Sequence, residues 1–334
     1  MSLPSWHDIT PGSLKLPDAQ TFEPSGLTLY TDSNNDPWIF VVGDSGKVIK
    51  AKINHSRDGK PGDTSWHGPD TFAASDIPVA LNDDSVKPND FECVTFANGN
   101  VMIGVEGDRP YDTATGKDDG SDDAKTPPHI LRFDQEDDDN GNIKKVGTLT
   151  GSSWDLTDLL PSGAKKNAGM EGLTFIPNGY FPSTWSDGGH YGGIFLATTQ
   201  SSGGTAQAYC LAQGSDRNGK TQEDLASSAV ATLTIPAPST DGPLISELFF
   251  DTQRGCLWVL YDGGASSDYL QALTLDTTDG TLTQAWADNA PWLGVEGMAV
   301  DGDDLYLAID NNDDTDGVYV LSGFASKVMP ISQA

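Results

Sequence analysis

The residues best placed to do chemistry in this 334-residue chain are acidic, and a repeat holds them in register. Five segments open on a glutamate or a small residue and continue as an apolar strand: Ser25-Gly-Leu-Thr-Leu29, Glu92-Cys-Val-Thr-Phe96, Glu171-Gly-Leu-Thr-Phe175, Ser246-Glu-Leu-Phe-Phe250 and Glu296-Gly-Met-Ala-Val300. A second apolar run follows each of them and ends at Asp44, Glu106, Thr199, Asp262 or Asp310, so seven of the ten aligned positions are carboxylates. Carboxylates drawn to one point raise one another's pKa unless a cation or hydrogen-bond donors compensate them. Oxygen-only ligands in a flexible ring suit Ca²⁺ better than zinc or copper. The candidate metal ligands are therefore Glu92, Glu171, Glu296, Asp44 and Asp262. A scaffold reading stands beside this one, in which each acid accepts hydrogen bonds from backbone amides or hydroxyls of the repeat. Arg109 follows Glu106 closely and either binds a substrate anion or pairs with the acids around it.

Other patterns are weaker. The stretches 312–317 and 136–141 approximate the start of a calcium loop, but they lack the closing glutamate and flanking helices, and Asp, Asn and Gly are also what hairpin turns prefer. Residues 214–221 match GxxxxGK[ST], yet they interrupt an antiparallel repeat where a phosphate loop needs a parallel sheet and a long helix. The five histidines form no zinc-protease spacing, and no nucleophile elbow occurs. Three cysteines, Cys93, Cys210 and Cys256, cannot all pair within the chain and read as small buried residues.

The elements that must position the acids follow from the same repeat. The two apolar runs are followed in each repeat by a third, at 47–51, 129–133, 206–210, 269–273 and 317–321, with room for a fourth, as at 229–235 and 281–286. Alternation and enrichment in β-branched and aromatic residues argue strands. First strands begin 67, 79, 75 and 50 residues apart. Four antiparallel strands repeated radially make a β-propeller, which leaves only short sheet edges. The expectation is an all-β, single-domain propeller over residues 1–334 with five four-stranded blades, a six-bladed ring with a drifted repeat near 148–166 being the alternative. The last blade's outer strand must come from 326–331 or from 9–16, the latter fastening the ring with opposite chain ends. Helical turns are expected near 153–160 and 222–228, and Trp258, Tyr306 and Phe195 are expected to pack between blades.

Forty-nine Asp and Glu against 19 Lys and Arg give a formal charge of −30. That excludes the basic surface needed for nucleic acid or for an anionic membrane. Apolar runs of about five residues are far short of the roughly 18 that a spanning helix needs. Met1–Trp6 shows neither the basic nor the apolar part of a secretory signal. An acidic surface together with a bound cation nevertheless fits an exported protein, extracellular or periplasmic, in calcium-bearing water. A monomer with a small-molecule, glycan or phosphoester ligand is expected.

At Glu92-Cys-Val-Thr-Phe96, Val105-Glu-Gly-Asp-Arg-Pro110, His129-Ile-Leu-Arg-Phe-Asp134, Asn167-Ala-Gly-Met-Glu-Gly-Leu-Thr-Phe175, Gly294-Val-Glu-Gly-Met-Ala299 and Ile309-Asp-Asn-Asn-Asp313, the sequence resembles the phytase-like propellers, the family known for esterase-like activity of phytase. Ser25-Gly-Leu-Thr28 is similar to the opening blade of the SdiA-regulated propellers. The resemblance implies a propeller, often exported, with calcium in or near the channel and, in some members, hydrolysis of phosphomonoesters or phytate. It carries over to Glu92, Glu106, Glu171, Glu296 and Asp310 as the family's acidic positions. The basic substrate pocket of alkaline phytases has no counterpart here, and 108–127 interrupts the second blade. Two functions follow: a calcium-dependent phosphoester hydrolase with Glu106 or Asp310 as general base and Arg109 as anion clamp, or a noncatalytic propeller that binds a ligand, glycan or protein, with structural calcium.

Overall fold

The computed structural model describes residues 12–14, 23–31, 37–43, 46–52, 67–72, 91–106, 111–112, 117–118, 128–137, 143–156, 159, 169–185, 191–199, 204–211, 225–237, 244–263, 268–290, 294–310, 317–321 and 323–329. It is a five-bladed β-propeller. The N-terminal strand β1 is Gly12–Leu14. Blade 1 is β2 (Pro24–Thr31), β3 (Pro37–Gly43), β4 (Lys47–Lys52) and β5 (His67–Phe72). Blade 2 begins with β6 (Phe91–Ala97) and β7 (Asn100–Val105); a small hairpin, β8 (Tyr111–Asp112) and β9 (Lys117–Asp118), follows before the blade resumes with β10 (His129–Asp137) and β11 (Ile143–Asp155). Blade 3 is β12 (Met170–Pro177), β13 (Gly193–Thr199), β14 (Thr205–Tyr209) and, after the short β15 (Leu225–Ala226), β16 (Ala229–Thr234). Blade 4 is β17 (Leu244–Asp251), β18 (Cys256–Asp262), β19 (Tyr269–Leu275) and β20 (Leu282–Asn289). Blade 5 is β21 (Val295–Asp301), β22 (Asp304–Ile309) and β23 (Gly317–Leu321), completed by β1 from the opposite end of the chain.

The first strand of every blade is innermost, and these five strands touch in a closed cycle, β2 to β6 to β12 to β17 to β21 and back to β2. Second strands are buried on both faces, which is why they read as unbroken apolar runs rather than as alternation. In β3, Ile39 and Val41 pack toward blade 5, whereas Phe40 and Val42 pack toward blade 2. Five core clusters result, one per blade junction. Trp258, Tyr306 and Phe195 are fully buried in three of them, as expected. The two-residue hairpin between β6 and β7 turns on Asn98 and Gly99, both with positive φ, the pair of conformations such a turn needs to follow strand twist.

Two expected helical turns change, and the choice of closing strand falls to one of its two candidates. The stretch considered for a sixth blade holds the end of β11, so 153–155 is strand rather than helical turn. The second expected helical turn contains β15, which adds to the outer edge of blade 2 in parallel with β11. Of the two candidates for the closing strand, the N-terminal one is used, and Phe324–Val328 is a short helix that caps the blade 4 to blade 5 core through Phe324. Among the described residues no helix is long and apolar enough to cross a membrane.

Candidate functional site

Each inner strand slips its register by one residue at its start, and the slipped residue is the aligned one in all five blades. Pro24 pairs with Gly43 and Gly26 with Val42, leaving Ser25 over. The same count leaves over Glu92, Glu171, Ser246 and Glu296. A β-bulge turns its extra residue out of the ladder and re-aims its side chain. The glutamates of the repeat are therefore bulge residues around one mouth of the channel. Second strands end at the same mouth, since Phe91 pairs with Val105 and Val295 with Ile309, which puts Glu106, Thr199, Asp262 and Asp310 beside the bulges. Asp44 and Arg109 lie outside the described residues, as do 214–221 and most of the two acidic loops; Glu136 and Asp137 close β10.

The mouth acids differ in what holds them. Glu171 is buried, while Glu92, Glu106, Asp262, Glu296 and Asp310 are half-buried. Glu106 Oε1 accepts the Gly169 amide at 3.3 Å, and its carbonyl accepts the Met170 amide at 3.1 Å, so it fastens the start of blade 3 to the end of β7. A Cβ on Gly169 would lie 2.2 Å from that carbonyl oxygen, which explains the glycine. The Asp310 amide donates to Gly294 O at 2.8 Å and anchors that acid beside the Glu296 bulge.

Two further acids escaped the sequence reading. One is Asp268, fully buried, whose carboxylate accepts the Val295 amide at 3.0 Å and the Gly263 amide at 3.2 Å. Burial, with Asp262 nearby, outweighs those donors and pushes its pKa up to about 6. The other is Glu247, one residue past the bulge of blade 4, where the other blades carry Gly26, Cys93, Gly172 and Gly297. Its column offered the signal: one long acid among small residues.

Glu247 plugs the channel. Its Oε1 accepts the Leu248 amide at 2.8 Å and the Leu173 amide of blade 3 at 3.4 Å, and the Leu27 amide of blade 1 also faces it. A carboxyl that meets amides of blades 1, 3 and 4 lies near the axis. Inner strands have an unpaired edge toward the channel, and these amides belong to it. Oε2 is buried without a hydrogen-bond partner among the described residues. Burial holds the Glu247 pKa well above the ordinary carboxylate value, the three amides oppose this, and Glu171 adds to it. Farther along the channel the same edge is satisfied by hydroxyls: Thr95 Oγ1 accepts the Phe175 amide at 3.1 Å and Thr174 Oγ1 accepts the Phe250 amide at 2.8 Å.

Cys93 lies among Glu247, Glu92 and Glu171, and burial followed by these acids drives its thiol pKa well up, so it is an inert packing residue. Cys256 is buried as Cys93 is, and neither of these two forms a disulfide. For a metal, the donor type fits: the acids at the mouth offer only oxygen, and an unpartnered carboxyl oxygen of Glu247 lies beneath them. Among the described residues, no three His, Cys, Asp or Glu side chains form a group that could hold an ion together. A cation here would accordingly take one or two carboxylates and complete its shell with backbone oxygens and water, as Ca²⁺ accepts.

No family model matches the chain, and no curated protein matches it. Among solved structures it is similar to the PQQ-bound aldose sugar dehydrogenase of Streptomyces coelicolor, at 12% identity over 94% of this chain and 98% of that one, with a TM-score of 0.39. It is also similar to a 6-phosphogluconolactonase-like protein of Bacteroides fragilis, at 14% identity over 96% and 97% of the two chains, TM-score 0.41. A glucose dehydrogenase aligns at 13% identity over 94% and 99%, TM-score 0.41. Likeness at this level carries no activity over to this chain.

Proposed function

We propose that the chain is a phytase-like propeller that binds Ca²⁺ at the bulge mouth and hydrolyses a phosphate ester there, in an extracellular or periplasmic setting. The observation that supports this reading is the bulge column, which aims Glu92, Glu171 and Glu296 at the mouth where Glu106, Asp262 and Asp310 end their strands. Bound calcium would offset the charge of these acids and polarise a phosphoryl oxygen. Glu106, oriented by the Gly169 amide, is positioned to take a proton from an attacking water, with Asp310 as the other candidate base. Arg109 would hold the anionic oxygens of the ester.

The test is turnover of p-nitrophenyl phosphate and phytate by the full chain with calcium and with chelator. In Glu106→Gln, Oε1 still accepts the Gly169 amide but the base is gone. Calcium-dependent turnover that this variant loses, at unchanged melting temperature, supports the enzyme. If neither calcium nor chelator moves the melting temperature or gives a calorimetric signal, the metal reading falls.

A second reading, a noncatalytic ligand-binding propeller, is favoured by what the mouth acids do. Glu106, Asp268 and Glu247 each accept backbone amides across blade boundaries or across a loop, which is scaffold work. Calcium binding without turnover of either substrate supports it.

A further inference from the structure

We propose that the channel mouth opposite the bulges is a second binding pocket, for a neutral polyhydroxylated ring such as a monosaccharide. A cavity of about 310 Å³ opens where the five inner strands end, a size at the lower end of small-molecule sites. Residues of all five inner strands line it, so it sits on the axis. Its lining is not that of the acidic mouth. Tyr30 of blade 1 and Phe96 of blade 2 stack at 4.7 Å and 26°, and both are half-buried, so part of this pair faces the cavity. Phe175 and Phe249 add aromatic surface from blades 3 and 4. Aromatic faces carry negative charge density and attract the weakly positive C–H face of a saturated ring.

The polar lining selects for hydroxyls. Thr28, Thr95 and Thr174 occupy one column at the cavity floor, and Thr252 and Gln253 stand exposed at its rim. Hydroxyl and carboxamide groups both give and accept hydrogen bonds, as sugar hydroxyls do. Among the described residues that line the cavity there is no Lys, Arg or His, so an anion, the phosphate esters of the other mouth included, finds no counter-charge from them. Of the two acids among these residues, Asp251 is already engaged, accepting Arg254 Nη1 at 2.9 Å, Trp258 Nε1 at 3.5 Å and the amides of Gln253 and Arg254. That leaves Asp301 as the one acid whose pull on an organic cation the choline probe must test. Glu247 blocks the channel between the two mouths, which makes this proposal independent of the calcium reading.

Isothermal titration of the full chain with D-glucose, D-galactose, N-acetyl-D-glucosamine and myo-inositol tests it, with choline and inorganic phosphate as comparison probes, in calcium and in chelator. The expected result is binding of at least one of the four rings, no binding of phosphate, and no effect of chelator. Phe96→Ala and Gln253→Ala should each weaken that binding by about fivefold or more, the loss of one aromatic contact or one hydrogen bond. Gln253 is exposed in a turn, so its variant keeps the fold even if Phe96→Ala does not. Absence of binding by all four rings overturns the proposal. So does binding that Gln253→Ala leaves unchanged, binding abolished by chelator, or binding of choline alone.

Discussion

Replacing Thr174 by valine should loosen the junction between blades 3 and 4. The side chain keeps its shape and loses the oxygen that accepts the Phe250 amide at 2.8 Å. Thr174 is only 3% exposed, and water has little access to take the place of that oxygen. A buried amide left without an acceptor costs about 1–3 kcal/mol. At about 2.1 cal/mol/K per residue, unfolding 334 residues carries roughly 0.7 kcal/mol/K, so the melting temperature should fall by about 1.5–4 °C. Thr95→Val removes the equivalent bond to the Phe175 amide at the preceding junction, and because Phe175 adjoins Thr174 the double variant measures how far the two losses couple. Calorimetry gives the melting temperatures, and hydrogen exchange gives the location: the Phe250 amide should lose protection while amides in β3 and β22 keep theirs. Wild-type melting together with unchanged exchange at Phe250 would refute the claim that hydroxyls satisfy the inner edge.

The remaining predictions concern the two buried acids and one close approach. Asp268 and Glu247 hold their protons more tightly folded than unfolded, so their contribution to stability is full at low pH and is lost as pH rises. For Asp268 the loss spans about 3.8 to about 6, and for Glu247 it extends from 4.5 to well above. Urea midpoints across pH should therefore decline for wild type beyond the Asp268 window, while Glu247→Gln levels off there; parallel curves would contradict the plug. In Gly297→Ala the new Cβ would lie 2.8 Å from Leu27 N and 2.9 Å from the Gly26 carbonyl carbon, both backbone, and overpacking of this kind costs about 1–3 kcal/mol. A urea midpoint equal to wild type would mean that blades 5 and 1 separate freely.

Sequence alone determined the alignment of the acids and pointed to five blades with a sixth left open, because inner and second strands are the most buried elements and must repeat their apolar pattern to pack on both neighbours. It also put Glu92, Glu171 and Glu296 in one column with no means of saying why the column exists. Only strand pairing revealed that every member is a bulge, since a one-residue slip is a relation between two strands and leaves no mark in either. The choice of β1 over the C-terminal segment as the closing strand was likewise a matter of which edge the chain could reach. Glu247 was overlooked although its column offered a long acid among small residues, and its work as a plug depends on amides from blades 1 and 3, brought to the axis only when the ring closes. Asp268 carried no signal, because its partners, Gly263 and Val295, come from either side of it along the chain and meet only in the folded ring. The cavity at the far mouth is a property of five strand ends together, which no single repeat contains.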